Sequence, residues 1–247
     1  MIRTVTIDFW NTLVDTSNGE ARRRARNAAL RDVLHAHRVA WDDDLIAAGM
    51  KHIYAAFERT WFGEKRTPSA DESVAALWTF LNVSVAADEH ARVVTVFEDS
   101  ILQGMPALLP GAADALARLA ATRRLAVISD TAFSPGRVLR AVLEHHDVAR
   151  HFSTMVFSDE TGVSKPHLKA FTTALSALGA DAGDAVHIGD IERTDIDGAL
   201  DAGMQAVLFR GDPGAMSFNG DAPTRAQAVA WSWDEVPGII ERLSGVM

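Results

Sequence analysis

Apolar and polar positions along this chain follow two different periods. Thr4-Val5-Thr6-Ile7 opens it with β-branched residues, the composition of a strand buried in a sheet, and the run stops at Asp8. From about residue 16 to 105 the spacing turns helical, and no strong strand pattern interrupts it. That spacing predicts helices over 21–34, 45–61 and 88–102. Between the last two, Ser69-Ala-Asp-Glu reads as a capped start for a helix running to Leu81.

Beyond Pro106 and Pro110-Gly111 the two patterns alternate. Helices are predicted over 112–121, 135–146, 166–178, 194–202 and 235–243, the last with Pro237 in its first turn. Strands are predicted over 125–130, 154–159, 185–190 and 205–209, with an edge strand at 228–232. Such alternation implies an α/β fold, a Rossmann-like parallel sheet with helices on both faces. A helical block of about 90 residues between the first two strands is too long for an ordinary crossover. The expected organisation is therefore a core of residues 1–15 and 106–247 with an inserted α-helical cap over 16–105. The aromatics Trp41, Tyr54, Phe57, Trp61, Phe62, Trp78 and Phe80 are expected mostly in the core of that bundle. One or two near the Trp61-Phe62-Gly63 bend are free to face a substrate.

Several strands end in polar side chains: Asp8, Ser129-Asp130, Ser158-Asp159 and Gly189-Asp190. A parallel sheet brings those ends to one edge, where open α/β sheets carry their chemistry. Asp8 there suits a nucleophile, a metal ligand or both, and equally a turn or helix-capping aspartate. Carboxylates gathered at one edge repel unless a cation or a proton intervenes. A hard divalent ion held by few carboxylates, waters and a substrate oxygen fits Mg²⁺ best. Lys165, just before Pro166, is placed to pair with the carboxylates and a bound anion together. In Gly189 to Met204, Asp195 stands at the mouth of a helix that it could also cap. Gly198 and Ala199 are expected to let that helix approach the sheet, and Gly203 to end it in a left-handed conformation.

Composition narrows the partners. The 247 residues carry a net charge of −9 with 48% hydrophobic positions, an ordinary globular balance with no electrostatic footprint for nucleic acid. Arg22-Arg23-Arg24 with Arg26 is read as a solvated helix face. The absence of cysteine excludes disulfides and thiolate chemistry. No apolar run approaches the roughly 18 residues of a membrane span, and no signal-peptide pattern opens the chain, so a cytoplasmic location is expected. Oligomeric state is not legible.

Taken together, Asp8-Phe-Trp-Asn-Thr12-Leu13, Ser129, Gly162-Val-Ser-Lys165-Pro166 and Gly189-Asp190 with Asp195 occur in the order of four motifs. On them the chain resembles the haloacid dehalogenase superfamily of hydrolases with a helical cap after the first motif. The resemblance implies that Asp8 is the nucleophile of an aspartyl intermediate. It implies that Ser129 and Lys165 hold the transferred group, and that Thr12 and the backbone around Asp130-Thr131 line a phosphate pocket. It also implies that Asp8, Asp190 and the backbone carbonyl of Trp10 ligate Mg²⁺, with Asp195 supporting that site. The expected activity is a Mg²⁺-dependent phosphatase acting on a small phosphorylated metabolite.

One position departs from that pattern. Phosphatases of the superfamily usually carry a second aspartate two residues after the nucleophile, which protonates the leaving oxygen; here Trp10 stands there. A positioned general acid is worth about 10² to 10⁴ in rate. Three explanations compete. The substrate has a good leaving group, or the cap or a water supplies the proton, with Asp15, Glu20, Glu64 and His52 as possible donors. The chain is a metal-independent 2-haloacid dehalogenase, whose relatives carry an aromatic there because halide leaves unprotonated. Or the fold is kept for binding with weak catalysis. A phosphonate-cleaving relative would need a Schiff-base lysine in the cap, where Lys51 and Lys65 are the only lysines.

Overall fold

The computed structural model describes residues 1–215 and 217–245. The β-branched and aliphatic runs form strands β1 (Thr4–Ile7), β2 (Arg124–Ser129), β3 (Phe152–Phe157), β4 (Ala185–Gly189), β5 (Gln205–Phe209) and β6 (Ala228–Ala230). They make one sheet in the order β3-β2-β1-β4-β5-β6, with each neighbouring pair parallel. The order reverses between β1 and β4, and the crevice at such a reversal is where open α/β sheets bind ligands.

The period of two sorts side chains onto two faces. Val5, Ile7, Leu125, Val127, Val186, Ile188 and Val207 share one core cluster with helices α5 (Ala112–Ala120), α6 (Gly136–His145) and α10 (Val236–Leu243). Ala126, Ile128, Ala206 and Leu208 face the other way, onto α8 (Leu168–Leu178) and α9 (Asp197–Asp201). The α/β expectation is met.

Two element predictions need correction. The strand expected over 154–159 ends at Phe157, because Ser158 opens a short helix, α7 (Ser158–Thr161). Asp159 turns its carboxylate to the free Gly136 N–H at the start of α6, at 3.1 and 3.2 Å, instead of extending the strand. The helix expected over 194–202 is split into a π-helical turn, Glu192–Ile196, followed by α9. Gly198 serves a close approach, but to the Phe171 ring of α8, where a Cβ would collide, and not to the sheet.

Between β1 and α5 lie four helices: α1 (Gly19–Ala36), α2 (Asp43–Arg59), α3 (Ala70–Leu81) and α4 (Ala87–Gln103). Their shared core is largely aliphatic, with Leu30, Leu34, Ile53, Val74, Leu77 and Val93 around Phe97 and Trp78. The aromatic core expected from composition is not there. Trp78 alone of the seven is buried; Tyr54 and Phe80 are exposed and the rest are half-buried. The predicted start of α3 holds, with a capping box in which Ser69 Oγ accepts from Glu72 N–H and Glu72 accepts from Ser69 N–H. Entry and exit of the four helices run side by side. Asp15 N–H donates to Ala107 C=O at 3.0 Å, Ala107 N–H returns a bond to the Asp15 carboxylate at 2.9 Å, and Leu109 N–H donates to Leu13 C=O. Among the described residues no helix is long and apolar enough to cross a membrane.

Candidate active site

Asp8 follows the last residue of β1, and its N–H extends the ladder by donating to Ile188 C=O of β4 at 2.9 Å. Phe9, fully buried, anchors the turn that comes next. Leu13 and Val14 N–H both return to Phe9 C=O, and Asn11 takes the left-handed conformation that asparagine tolerates. The turn leaves Asp8 only 6% exposed at the edge of the sheet.

Lys165 is 2% exposed and reaches that edge from the chain before α8. Its ammonium donates to Asp8 and, at 2.6 Å, to Asp195 Oδ1. Its backbone N–H donates to Asp130 Oδ1 at 2.9 Å. Asp195 Oδ2 accepts from Ile191 N–H and from Thr194 Oγ. Asp195 does not cap the following helix; it sits inside the π-helical turn, against Gly189, where a Cβ would overlap its carboxyl group.

His187, in the middle of β4, has no counterpart in the sequence motifs. It pairs in register with Thr6 and is completely buried. Asp195 is a carboxylate that can only accept, so His187 Nε2–H donates to it at 3.1 Å, and Nδ1 accepts from Thr6 Oγ at 2.8 Å. Burial lowers the imidazole's pKa and keeps it neutral in this role. The only hint in the sequence was a histidine inside an otherwise apolar strand.

Asp190 is 8% exposed beyond β4. Its Oδ2 accepts from Ser217 Oγ and from Asn11 Nδ2, the latter at 3.4 Å. Asp130 follows β2 with its carboxylate held between Lys165 N–H and the indole of Trp61, whose Nε1 donates at 2.8 Å. Ser129 is 2% exposed, and its hydroxyl makes one long contact, 3.4 Å to Asp130 C=O. Ser158 braces the neighbouring loop, accepting from Thr131 N–H and meeting Thr67 at 2.6 Å.

Three buried carboxyl groups, Asp8, Asp190 and Asp195, and a half-buried fourth, Asp130, therefore share this edge with one buried ammonium, which bonds to Asp8 and Asp195. Burial alone pushes Asp8 up; Lys165 opposes this, while Asp195 and Asp190 add to it, and its pKa stays well above the usual carboxylate range. Burial and then the Asp195 charge push Asp190 up to about 7. Burial raises Asp130 to about 6 against Lys165 and Trp61. Asp195 is the exception: burial raises it, but Lys165 and His187 outweigh that and hold it low. Burial likewise disfavours the Lys165 charge, and Asp195, Asp8 and Asp130 more than restore it.

The site also holds unsatisfied polar atoms, since Asn11 Oδ1 and Thr12 Oγ1 are buried without a hydrogen-bond partner. Acidic groups in excess of the one ammonium, held partly protonated by burial and standing beside orphaned oxygens, fit a hard cation. Among the described residues no three His, Asp or Glu side chains form a ready ligand cluster. A cation here would keep several waters, as a small divalent ion prefers.

Trp10 turns away from this edge. It is half-buried edge-on to Phe9, with the Arg22 guanidinium 5.6 Å from its ring centre, and it lines a large cavity beneath α1 and α2. The four suggested proton donors are engaged or outlying. Asp15 ties the exit strand, Glu20 pairs with Arg24, Glu64 is exposed near Arg66, and His52 is exposed against Phe80. The bend at Trp61 meets the residues of the sheet edge. Besides the Trp61–Asp130 bond, Lys65 C=O accepts from Ser164 N–H at 2.7 Å, and Arg193 stacks 3.0 Å over the Phe62 ring.

The family model described as haloacid dehalogenase-like hydrolase matches residues 2–203, and the chain belongs to that family of hydrolases. It is 37% identical over 103 residues to a glyceraldehyde 3-phosphate phosphatase of Pyrococcus abyssi, covering 41% of this chain and 42% of that one. It is 29% identical over 127 residues to a phosphoglycolate phosphatase of Mesorhizobium japonicum, covering 50% of this chain and 55% of that one. The chain thus aligns with about half the length of these curated relatives or less. Among solved structures it resembles a 2-haloacid dehalogenase from Pseudomonas syringae, at TM-score 0.69 and 24% identity over 98% of this chain and all of that one. A phosphatase of the family from Thermococcus onnurineus gives TM-score 0.64 at 18% identity over 97% of this chain and 98% of that one. Both likenesses concern the fold.

Proposed function

We propose that the chain is a Mg²⁺-dependent phosphatase of small phosphorylated molecules, with Asp8 as nucleophile. The observation that carries this is the surplus of acidic groups at the strand edge, where Asp8, Asp130, Asp190 and Asp195 gather beside one ammonium and that ammonium bonds to only Asp8 and Asp195. A site built only to position a neutral substrate would gain nothing from a buried Asp190 pushed up to about 7. Asp8, Asp190 and the Trp10 carbonyl would hold the ion. When bound, Mg²⁺ neutralises these carboxylates and the phosphoryl oxygens together.

The chain's own groups do the rest. Asp8 attacks in its ionised form, which the Lys165 ammonium on its oxygen favours. One Asp8 oxygen bonds to phosphorus while the P–O bond to the leaving group breaks, giving an aspartyl phosphate. Water then attacks phosphorus, releasing inorganic phosphate and restoring Asp8. Ser129, Lys165 and Thr12 hold phosphoryl oxygens, with the backbone at Asp130-Thr131. Asp195 fixes Lys165, and His187 fixes Asp195. With an indole at position 10, the leaving oxygen departs with little help, which selects acyl or other activated phosphates. Residues 16–105 act as a cap over the edge, closed by Trp61 on Asp130 and by Lys65 on Ser164.

Halide hydrolysis is the second reading, favoured by the aromatic residue at position 10. It leaves Asp190 a buried carboxyl without a task. Steady-state release of phosphate from esters and acyl phosphates, with Mg²⁺ and with chelator, separates the two when run beside halide release from 2-haloacids. The expected result is Mg²⁺-dependent phosphate release that Asp8→Asn abolishes without changing the circular dichroism. Chelator-insensitive halide release overturns it.

A further inference from the structure

The cavity beside Trp10 has a volume of about 990 Å³, at the upper end of the roughly 300–1,000 Å³ of ligand pockets. Its walls come from α1, α2 and the loop after β2, with Met50, Tyr54 and Phe133 supplying apolar surface. Its charge is one-sided. Arg22, Arg23, Arg26 and Lys51 line it against a single carboxylate, Asp43, which already accepts from the Trp41 indole at 2.6 Å. This holds in a protein whose net charge is −9.

Arg22 and Arg26 lie four residues apart on one face of α1, half-buried, so the solvated face expected for this cluster describes only Arg23 and Arg24. Neither pairs with a carboxylate among the described residues; the Arg22 guanidinium donates to the Thr16 and Gly104 carbonyls. Arg26 stacks 5.3 Å from the Phe133 ring centre and donates one bond to Ser100 Oγ, leaving its buried Nε without a partner. Burial, and then Arg26 for Arg22 and Arg23 for Arg26, makes both charges harder to hold. Asp15 acts on Arg22 from beyond ion-pair distance, and two adjacent half-buried cations with no ion-pair partner are costly unless an anion joins them.

We propose that the cavity receives the second anionic group of the substrate. The substrate class is an acyl or otherwise activated phosphate whose body carries, beyond an apolar or aromatic spacer, a carboxylate or a further phosphate. Arg26 reads that group with its open donors, and Arg22, held by two carbonyls, supplies fixed positive potential. Trp10, two residues from Asp8, forms the wall along which the spacer lies; the missing acid at that position is thereby exchanged for a binding surface. This rests on the phosphatase reading for the reacting end and on the cavity alone for the other.

The test uses benzoyl phosphate, whose carboxylate leaves without protonation, and its counterparts bearing a para-linked carboxylate, phosphate or neutral amide on tethers of one to four carbons. In the wild type, the best anionic member is expected to exceed its amide counterpart in kcat/KM by about 10- to 100-fold, the range of charge-assisted bonds. Arg26→Met is expected to bring that ratio near one, and Arg26→Lys to restore part of it. The carboxylate-to-phosphate ratio identifies which anion is preferred. A second arm does not depend on turnover: the same tethered carboxylates and amides, made without phosphorus, are compared by melting temperature. Carboxylates raising it where amides do not supports the site even if no acyl phosphate is cleaved, in which event only the phosphatase reading fails. This comparison needs no variant, so a poorly folding Arg26→Met does not block it. Equal kcat/KM for anionic and amide members, or equal thermal shifts, overturns the proposal.

Discussion

Two regions that meet at Trp10 bury unbalanced charge of opposite sign. At the strand edge, carboxylates outnumber the one ammonium; across the indole, guanidinium groups outnumber the one carboxylate. They also hold their charges differently. Asp195 alone has four partners, Lys165, His187, Ile191 N–H and Thr194, and the geometry of the edge is fixed before any ligand arrives. Arg26 has one hydrogen bond and a buried nitrogen without a partner. On the proposed reading the contrast would separate tasks, with the reaction at the sheet edge and selection on the helical side, which needs room to vary.

The contrast breaks most severely at Lys165. Lys165→Met removes the only ammonium among the carboxylates and is expected to lower stability by about 3–5 kcal/mol, as for other broken buried pairs. Urea unfolding reads this, and stability equal to wild type would refute the account of the edge. His187→Leu acts one layer out. It strips a hydrogen bond from Asp195 and leaves the Thr6 hydroxyl buried without its acceptor, a loss of about 1–3 kcal/mol. The expected kinetic effect is a fall of about 10- to 100-fold in kcat with KM little changed, the size seen for supports of a site's ligands. A change confined to KM would instead place His187 with substrate binding.

A smaller effect is visible in pH. Asp190, pushed up to about 7, keeps a proton in the folded chain that the unfolded chain releases near its ordinary value of 3.8. The metal-free protein therefore loses stability as pH rises from about 4 to about 7. Asp190→Asn is expected to flatten that slope and to blunt the rise in melting temperature on adding Mg²⁺. Identical pH slopes and Mg²⁺ shifts in the two proteins would remove Asp190 from the ion site. The smallest change belongs to the helical side. Ser69→Ala breaks the capping box of α3 and is expected to lower stability by about 1 kcal/mol with turnover intact. Lost turnover would mean that α3 does more than support.

The sheet was legible because its period and its polar strand ends are local signals. Asp8, Asp190, Lys165 and Asp195 could be picked out because each follows an apolar run or stands in a compact motif. His187 was hidden by the same rule, since a residue inside a strand reads as core whatever it bonds to. Arg22 and Arg26 were misread because helix spacing tells which residues share a face, not what covers it. The aromatics of the helical side were misplaced in the bundle core for a related reason: Tyr54 meets Phe133 at a tilt of 55° where the helices meet the core loops, a junction absent from either segment alone. Ser217 reaches Asp190 from 27 positions away, a pairing with no periodic signature.

The side-by-side passage of Asp15 and Ala107 has a consequence for how such chains change over time. Since Asp15 and Ala107 are bonded to each other in both directions, everything between them is a closed loop as far as the sheet is concerned. The entropy of closing a loop grows only with the logarithm of its length, about 0.6 kcal/mol per doubling. Segments of other lengths or sequences could be exchanged at these two residues with β1 and the turn at Asp8 kept, at the loss of the contacts that Trp61, Lys65 and Thr67 make with Asp130, Ser164 and Ser158. Lineages sharing this sheet are thus free to acquire new specificities by replacing one continuous stretch of gene, with the reactive residues left where they were.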